Sequence, residues 1–278
     1  MEFILETLEK IDEIDQSSNL LGAKSTEPIP DRKEVIAVVK DVQALLFPRY
    51  FKSSVSSDRE TLMYTVYRRI KNQIEMACAF ARKSCSLDPE EAAEQFISGL
   101  PAIKELLIKD IEALYEGDPA AMSRDEVLIC YPGFYAISIY RMANLLYKMN
   151  VPLLPRMMTE YAHEKTGIDI HAGATIGEYF FIDHGTGIVV GETTIIGKHV
   201  KLYQGVTLGA KSFELDAEGN PVKGIKRHPE IGDNTIIYAN ATILGGQTVI
   251  GKNCIIGGNT WLVSSVPDGS MVYHKNEN

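Results

Sequence analysis

Two hydrophobic periods divide the chain. From about Asp31 to Leu146 apolar residues recur at spacings of three and four. In AEQFISGLPAIKELLIKDIEALY, for example, Phe96, Ile97, Leu100, Ile103, Leu106, Leu107, Ile111 and Leu114 gather on one side of a helix. Asp88 before Pro89 marks a helix start, GDPAAMSRDE marks a gap between helices, and YPGFYAISIYRMANLLYKM restarts the pattern. The first thirty residues read as a short helix followed by the loop STEPIP.

After about Gly167 the spacing matches neither a helix nor a two-faced strand. Ile170, Ile176 and Ile182 are six apart; after a two-residue slip, Val190, Ile196, Leu202 and Leu208 are six apart again. Beyond an interruption, Ile231, Ile237 and Ile243 repeat the interval, and one extra residue later so do Ile250, Ile256 and Leu262. Four residues after most of these aliphatics stands a small or β-branched side chain: Ala174, Thr194, Val200, Val206, Thr235, Ala241, Cys254, Thr260. A six-residue period of this kind predicts a parallel β-helix in which each hexapeptide forms one face of a triangular coil and the aliphatic points inward. The expected fold is α+β, an α-helical domain over 1–160 followed over 161–278 by a left-handed parallel β-helix of hexapeptide repeats. Glycines in the IG pairs are expected to supply many of the tight corners. The interruption from Gly209 to Pro229, with its turn signal EGNP, reads as a loop extruded from one corner. Four to five coils make a short solenoid that needs caps or partners, so an oligomer is expected.

Composition narrows the function classes. A chain of 278 residues, 45% hydrophobic, buries a substantial core, and a net charge of −9 gives no electrostatic reason to expect nucleic acid or an anionic membrane as partner. The N-terminal stretch lacks a basic n-region and no window approaches eighteen apolar residues, so the expectation is a cytoplasmic protein. Cys78, Cys85, Cys130 and Cys254 form no C-x-x-C pair and are expected to be reduced and mostly in the core.

The candidate chemistry sits at the slip. In FFIDHGTGIVVGET, Asp183 and His184 directly follow the inward Ile182, and the two extra residues force HGTGIVV to bulge, with glycines beside the histidine where a ligand can approach. Asp169, one coil earlier, is a candidate to orient the His184 ring, leaving the other nitrogen to accept a proton from a substrate. Arg227 and His228 stand where the extruded loop rejoins the coil, and a guanidinium there suits a carboxylate. The histidines show no close pair of the metal-binding kind, so no metal is expected; His171 reads as structural and His199 as solvent-facing.

These motifs, GIDIHAGATIG, IDHGTGIVVGET, VTLGA and RHPEIGDNTIIYANATILGG, preceded by DIEALYEGDPAA and YPGFYAISIYRMANLLY, resemble those of bacterial serine acetyltransferases, over about Asp110 to Leu262. The resemblance implies transfer of acetyl from acetyl-CoA to the L-serine hydroxyl to give O-acetylserine for cysteine synthesis, by homotrimers or dimers of trimers and without a metal. It makes His184 the general base with Asp169 its orienter. Asp118 and Asp183 fall on the serine ammonium, Arg227 and His228 on its carboxylate, and Gly209, Ala210, Ala239 and Gly258 along acetyl-CoA. Gly209–Ala210 replaces the family's usual glycine pair, and the loop before RHP is longer than usual. The chain stops at VPDGSMVYHKNEN without the terminal isoleucine through which the family engages cysteine synthase, so that complex is not expected. The residues alone leave open a second acyltransferase reading, with a sugar or an amino alcohol as acceptor.

Overall fold

The structure, a computed structural model, describes residues 2–18, 28–53, 55–81 and 85–273. Serine, threonine and glutamate of STEPIP, and His274, lie outside these. Among the described residues seven helices come first: α1 (Glu2–Ser17), α2 (Arg32–Leu46), α3 (Arg59–Ala81), α4 (Pro89–Gly117), α5 (Arg124–Cys130), α6 (Pro132–Lys148) and α7 (Leu154–Thr166). Asp88 caps α4 as its sequence requires, accepting from the amides of Glu90 and Glu91 with Pro89 in the first turn. The apolar stripe of α4 is buried at Phe96, Leu100, Ile103, Leu107, Ile111 and Leu114. Helix α1 by contrast exposes Ile4, Leu8 and Ile11.

Gly167, at φ 69°, caps α7, and the period changes there to fourteen short strands. The first coil is β1 (Asp169–Ile170), β2 (Thr175–Ile176) and β3 (Phe181–Asp183); the second is β4 (Val189–Val190), β5 (Ile195–Ile196) and β6 (Lys201–Tyr203). The third is β7 (Thr207–Gly209), β8 (Glu230–Ile231) and β9 (Ile236–Ile237); the fourth β10 (Thr242–Leu244), β11 (Val249–Ile250) and β12 (Ile255–Ile256). The last contains β13 (Trp261–Leu262) and β14 (Met271–Val272). Strands stack in parallel from coil to coil, giving three faces, β1-β4-β7-β10-β13, β2-β5-β8-β11 and β3-β6-β9-β12-β14, of a left-handed β-helix. The six-residue frame is the register itself: Ile170 stacks on Val190, Val190 on Leu208, Leu208 on Ile243 and Ile243 on Leu262. The inserted segment leaves that register intact, since Ile196 still pairs with Ile231 across it.

Two expectations are corrected. The glycines of the IG pairs do not make the corners through positive φ; left-handed corner positions are instead held by Tyr179, His199, Asn234, Asn240, Asn253 and Asn259, and by glycines outside the IG pairs such as Gly205 and Gly245. Gly177, Gly232 and Gly251 serve another purpose, because a Cβ on Gly177 would lie 2.6 Å from the Gly197 carbonyl oxygen of the next coil. The cysteines are not all reduced core residues either. Cys78 and Cys85 are joined by a disulfide, with α carbons 5.2 Å apart across the short α3–α4 connection, and Cys130 is exposed; only Cys254 is a free, buried thiol. The segment between β7 and β8 forms the arm expected from EGNP, closed by a bridge between Leu215 and Pro221 around Gly219.

Candidate active site

Asp183 ends β3, and the next residues leave the regular face: His184 has φ 55°, Gly185 87° and Gly187 80°. The Gly185 amide donates to the Asp183 carbonyl at 2.6 Å, closing a three-residue turn centred on His184. A non-glycine residue held at positive φ costs on the order of 1 kcal/mol or more and persists only where its surroundings enforce it. The turn is closely packed at the next residue, where a Cβ on Gly185 would lie 2.5 Å from the Ile168 Cδ1 and 3.0 Å from the Ile182 Cγ2. The imidazole is thereby turned outward. Its side chain is 71% exposed, against 21% for Asp183, whose Oδ1 lies 3.7 Å from His184 Nδ1.

Two helix ends are docked onto this corner by glycine. Gly117, the last residue of α4, lies where a Cβ would strike the Phe181 ring at 2.5 Å, and a Cβ on Gly133 in α6 would lie 2.7 Å from the Ile182 carbonyl oxygen. The first contact carries Asp118, the C-cap of α4, to the site; the second carries Tyr131. Tyr131 donates to Asp118 Oδ2 at 2.5 Å and the Ala120 amide donates to Oδ1 at 2.8 Å. Those two donors, with His184 nearby, hold the Asp118 carboxyl below its usual range. Tyr203, stacked on Tyr238 at 5.1 Å, completes the wall; burial, then Tyr238 and the charges of Asp183 and Asp118, raise its hydroxyl. Asp169 starts the first coil, the coil that Asp183 ends, beside the Ile168 that packs against Gly185. Among the described residues its carboxylate makes no hydrogen bond or ion pair with His184.

Arg227 and His228 lie elsewhere on the same protomer. His184 is at the corner joining the third face to the first, whereas the arm returns at the corner joining the first face to the second. One six-residue face, roughly 20 Å, separates them. Thr193 is the hub of that corner. Its Oγ1 accepts from the Arg227 amide at 2.9 Å and the His228 amide at 3.1 Å, and its own amide donates to His228 Nδ1 at 3.1 Å. Nδ1 is therefore an acceptor and the ring proton resides on Nε2. The His228 ring lies over Gly191, where a Cβ would come within 2.0 Å of it. Burial, aided by the Arg227 charge, pushes the His228 pKa down to about 4, so the ring is neutral at neutral pH. Arg227 Nη2 is paired with Glu192, whose other oxygen accepts from Tyr147 at 2.8 Å.

The four positions expected along acetyl-CoA divide between the same two corners. Ala239 and Gly258 stack on the His184 side, with the Asn259 amide donating to the Ala239 carbonyl at 2.9 Å. Gly209 and Ala210 stand at the root of the arm, next to a cavity of about 300 Å³ between the arm and the following coils, lined by Lys211, Phe213, Arg227 and Gly246 among others. Among the described residues no group of three or more His, Cys, Asp or Glu is placed to hold a metal ion, and no helix is long and apolar enough to cross a membrane. Sequence reasoning passed over Tyr131, Tyr203, Glu192 and Thr193. Of these, Glu192 and Thr193 end IDHGTGIVVGET and Tyr131 opens YPGFYAISIYRMANLLY, whereas Tyr203 lies in no motif.

No protein-family model matches the chain. A serine acetyltransferase of Synechococcus elongatus, plasmid-encoded by its description, is 44% identical over 262 residues, 88% of this chain and 82% of that protein. The Bacillus subtilis serine acetyltransferase is 44% identical over 167 residues, 60% of this chain and 72% of that one. Among solved structures, Entamoeba histolytica serine acetyltransferase 1 in complex with L-cysteine superposes with a TM-score of 0.74 at 36% identity, over 85% of this chain and 86% of its own. The six-residue frame, the His184 corner and identity over most of both chains lead to one conclusion: the chain belongs to the serine acetyltransferase family and is an acyltransferase.

Proposed function

We propose that the chain acetylates L-serine from acetyl-CoA in the cytoplasm, at sites assembled between the subunits of a trimer. The observation that carries the assembly is the separation of the two residue groups. Asp118, Asp183 and His184 occupy one corner of the prism and Arg227 and His228 the next, so one small amino acid reaches both only where the two corners come from different subunits. Cyclic packing of three β-helices supplies three such junctions. Ala239 and Gly258 on one side, and Gly209 and Ala210 on the other, then flank the same junction and suit the acyl donor.

At each site Asp118 and Asp183 receive the serine ammonium, the first already fixed by Tyr131 and the Ala120 amide. Arg227 receives the serine carboxylate through two parallel donors, with neutral His228 beside it. His184 takes the proton from the serine Oγ as that oxygen attacks the thioester carbonyl. The tetrahedral intermediate collapses, the carbon–sulfur bond breaks, and the same proton passes from His184 to the departing thiolate. Asp169 orients the imidazolium by closing onto the ring when substrate fills the site; hydrogen bonds of this kind tighten in the complex. A thioester is already activated, so position, a base and an oxyanion site suffice. The relative solved with L-cysteine supports the recognition scheme, because cysteine carries the same ammonium and carboxylate.

Subunit complementation tests the composite site. His184→Ala and Arg227→Ala proteins, each impaired alone, are mixed by co-expression at equal amounts. A site built from two subunits restores about a quarter of the wild-type activity, since random trimers unite an intact His184 with an intact Arg227 at one junction in four. No gain over the separate variants would place both groups in one subunit and overturn the reading.

A further inference from the structure

The contact between Glu192 and Arg227 bears on how a substrate carboxylate is held. Arg227 Nη2 is committed to Glu192 Oε2, and Nη1 reaches the Ile225 carbonyl only at 3.5 Å, so the remaining guanidinium donors are available. Glu192 is itself held from the helical domain: Tyr147, on α6, donates to Oε1 at 2.8 Å, and the His171 ring packs edge-on to Tyr147 at 5.8 Å. Gly173 makes room for this contact. A Cβ there would lie 2.9 Å from the Tyr147 hydroxyl and 3.0 Å from Glu192 Cγ. Burial works against the charge on Glu192, but the hydrogen bonds from Tyr147 and Arg227 outweigh it and hold the carboxyl below its usual range. The chain Tyr147–Glu192–Arg227 thus runs from a helix, across the first corner, to the root of the arm.

We propose that Tyr147 and Glu192 are positioning residues that preset the Arg227 guanidinium for a substrate carboxylate. The inference rests on the reading of Arg227 as the carboxylate clamp. An unheld arginine samples many rotamers, and ordering it at the moment of binding weakens binding; a guanidinium already fixed through one nitrogen avoids that loss. The competing role for Glu192 is to occupy Arg227 in place of substrate, which predicts the opposite sign.

The test compares Tyr147→Phe, Glu192→Ala, Glu192→Gln and Arg227→Ala in the full-length oligomer by initial rates with L-serine and with ethanolamine, which is serine without its carboxylate. Tyr147→Phe removes one hydroxyl and leaves Glu192 and Arg227 charged. It and Glu192→Ala are expected to raise the serine KM about tenfold, the effect of one hydrogen bond to a charged group. The acetyl-CoA KM and the rate with ethanolamine should hold steady, and Glu192→Gln should fall between Glu192→Ala and wild type. A lower serine KM in Glu192→Ala would identify Glu192 as a competitor and overturn the proposal. So would equal losses with ethanolamine, which mark a merely structural role, or an unchanged serine KM. If wild type turns over serine and Arg227→Ala leaves its KM unchanged, the clamp reading itself fails.

Discussion

Replacing Asp110 with alanine should cost this protein about 4 kcal/mol. Asp110 is fully buried in α4; its Oδ2 accepts from Arg141 Nε at 2.6 Å, and its Oδ1 from Arg141 Nη2 at 2.8 Å and from the Phe180 amide at 3.0 Å. Arg141, on α6, also donates to the Gly177 carbonyl at 2.9 Å, so one ion pair fastens two helices to the first coil just ahead of Asp183 and His184. Burial, with a smaller push from the Glu178 charge, raises the Asp110 carboxyl above its usual range, against the opposing guanidinium and Phe180 amide. Removing the carboxylate strands a buried guanidinium, typically ~3–5 kcal/mol, and orphans a buried N–H worth ~1–3 kcal/mol, terms that overlap. At roughly 2–4 °C per kcal/mol for chains of this size, the melting temperature should fall by about 8–16 °C. The assay is thermal unfolding by circular dichroism at one fixed protein concentration, since oligomers melt at concentration-dependent temperatures. Adding Arg141→Met to Asp110→Ala removes the stranded charge and should recover much of the loss. A fall of less than about 3 °C in the single variant, or a double variant no more stable than the single, would refute the reasoning, the first by the same conversion.

Two further outcomes follow from the arm's root. Gly191→Ala forces a methyl into the His228 ring, so it should raise the serine KM and lower stability by roughly 1–3 kcal/mol, read from kinetics and a melt together. His228 also makes stability pH-dependent. Its folded pKa of about 4 lies below the unfolded value, so the unfolded chain binds the proton first as pH falls. Stability should decline from about pH 6.5 to about pH 4, by no more than about 3 kcal/mol, and the decline should flatten in His228→Gln.

The fold was legible because a β-helix writes its register directly into the sequence: inward positions six apart are the same positions that stack, from Ile170 to Leu262. The slip after Ile182 was legible for the same reason, and the turn at His184 is its physical form. The corners were read through the wrong residue type. Asparagine adopts left-handed φ at Asn234, Asn240, Asn253 and Asn259, whereas the glycines of the IG pairs serve close stacking, and period alone does not separate the two uses. Tyr131 and Tyr147 stayed hidden because their partners are set by how helices dock onto coils, a placement that depends on Gly117, Gly133 and Gly173 admitting a neighbour too close for any Cβ. Sequence motifs likewise grouped Arg227 with His184, although the chain's own topology puts them on different corners. The Cys78–Cys85 pairing left no signal beyond a separation of seven residues.

The central claim is that His184 exists to deprotonate the acceptor hydroxyl. Initial-rate thiol release from acetyl-CoA with L-serine, wild type beside His184→Ala, tests it most directly. The account predicts a serine-dependent rate that falls by ~10²–10⁴ in the variant, the usual worth of a general base, with melting temperature and oligomer size unchanged because the side chain is largely exposed. A variant that keeps the wild-type rate, or one that loses activity only because it no longer folds or assembles, would contradict it.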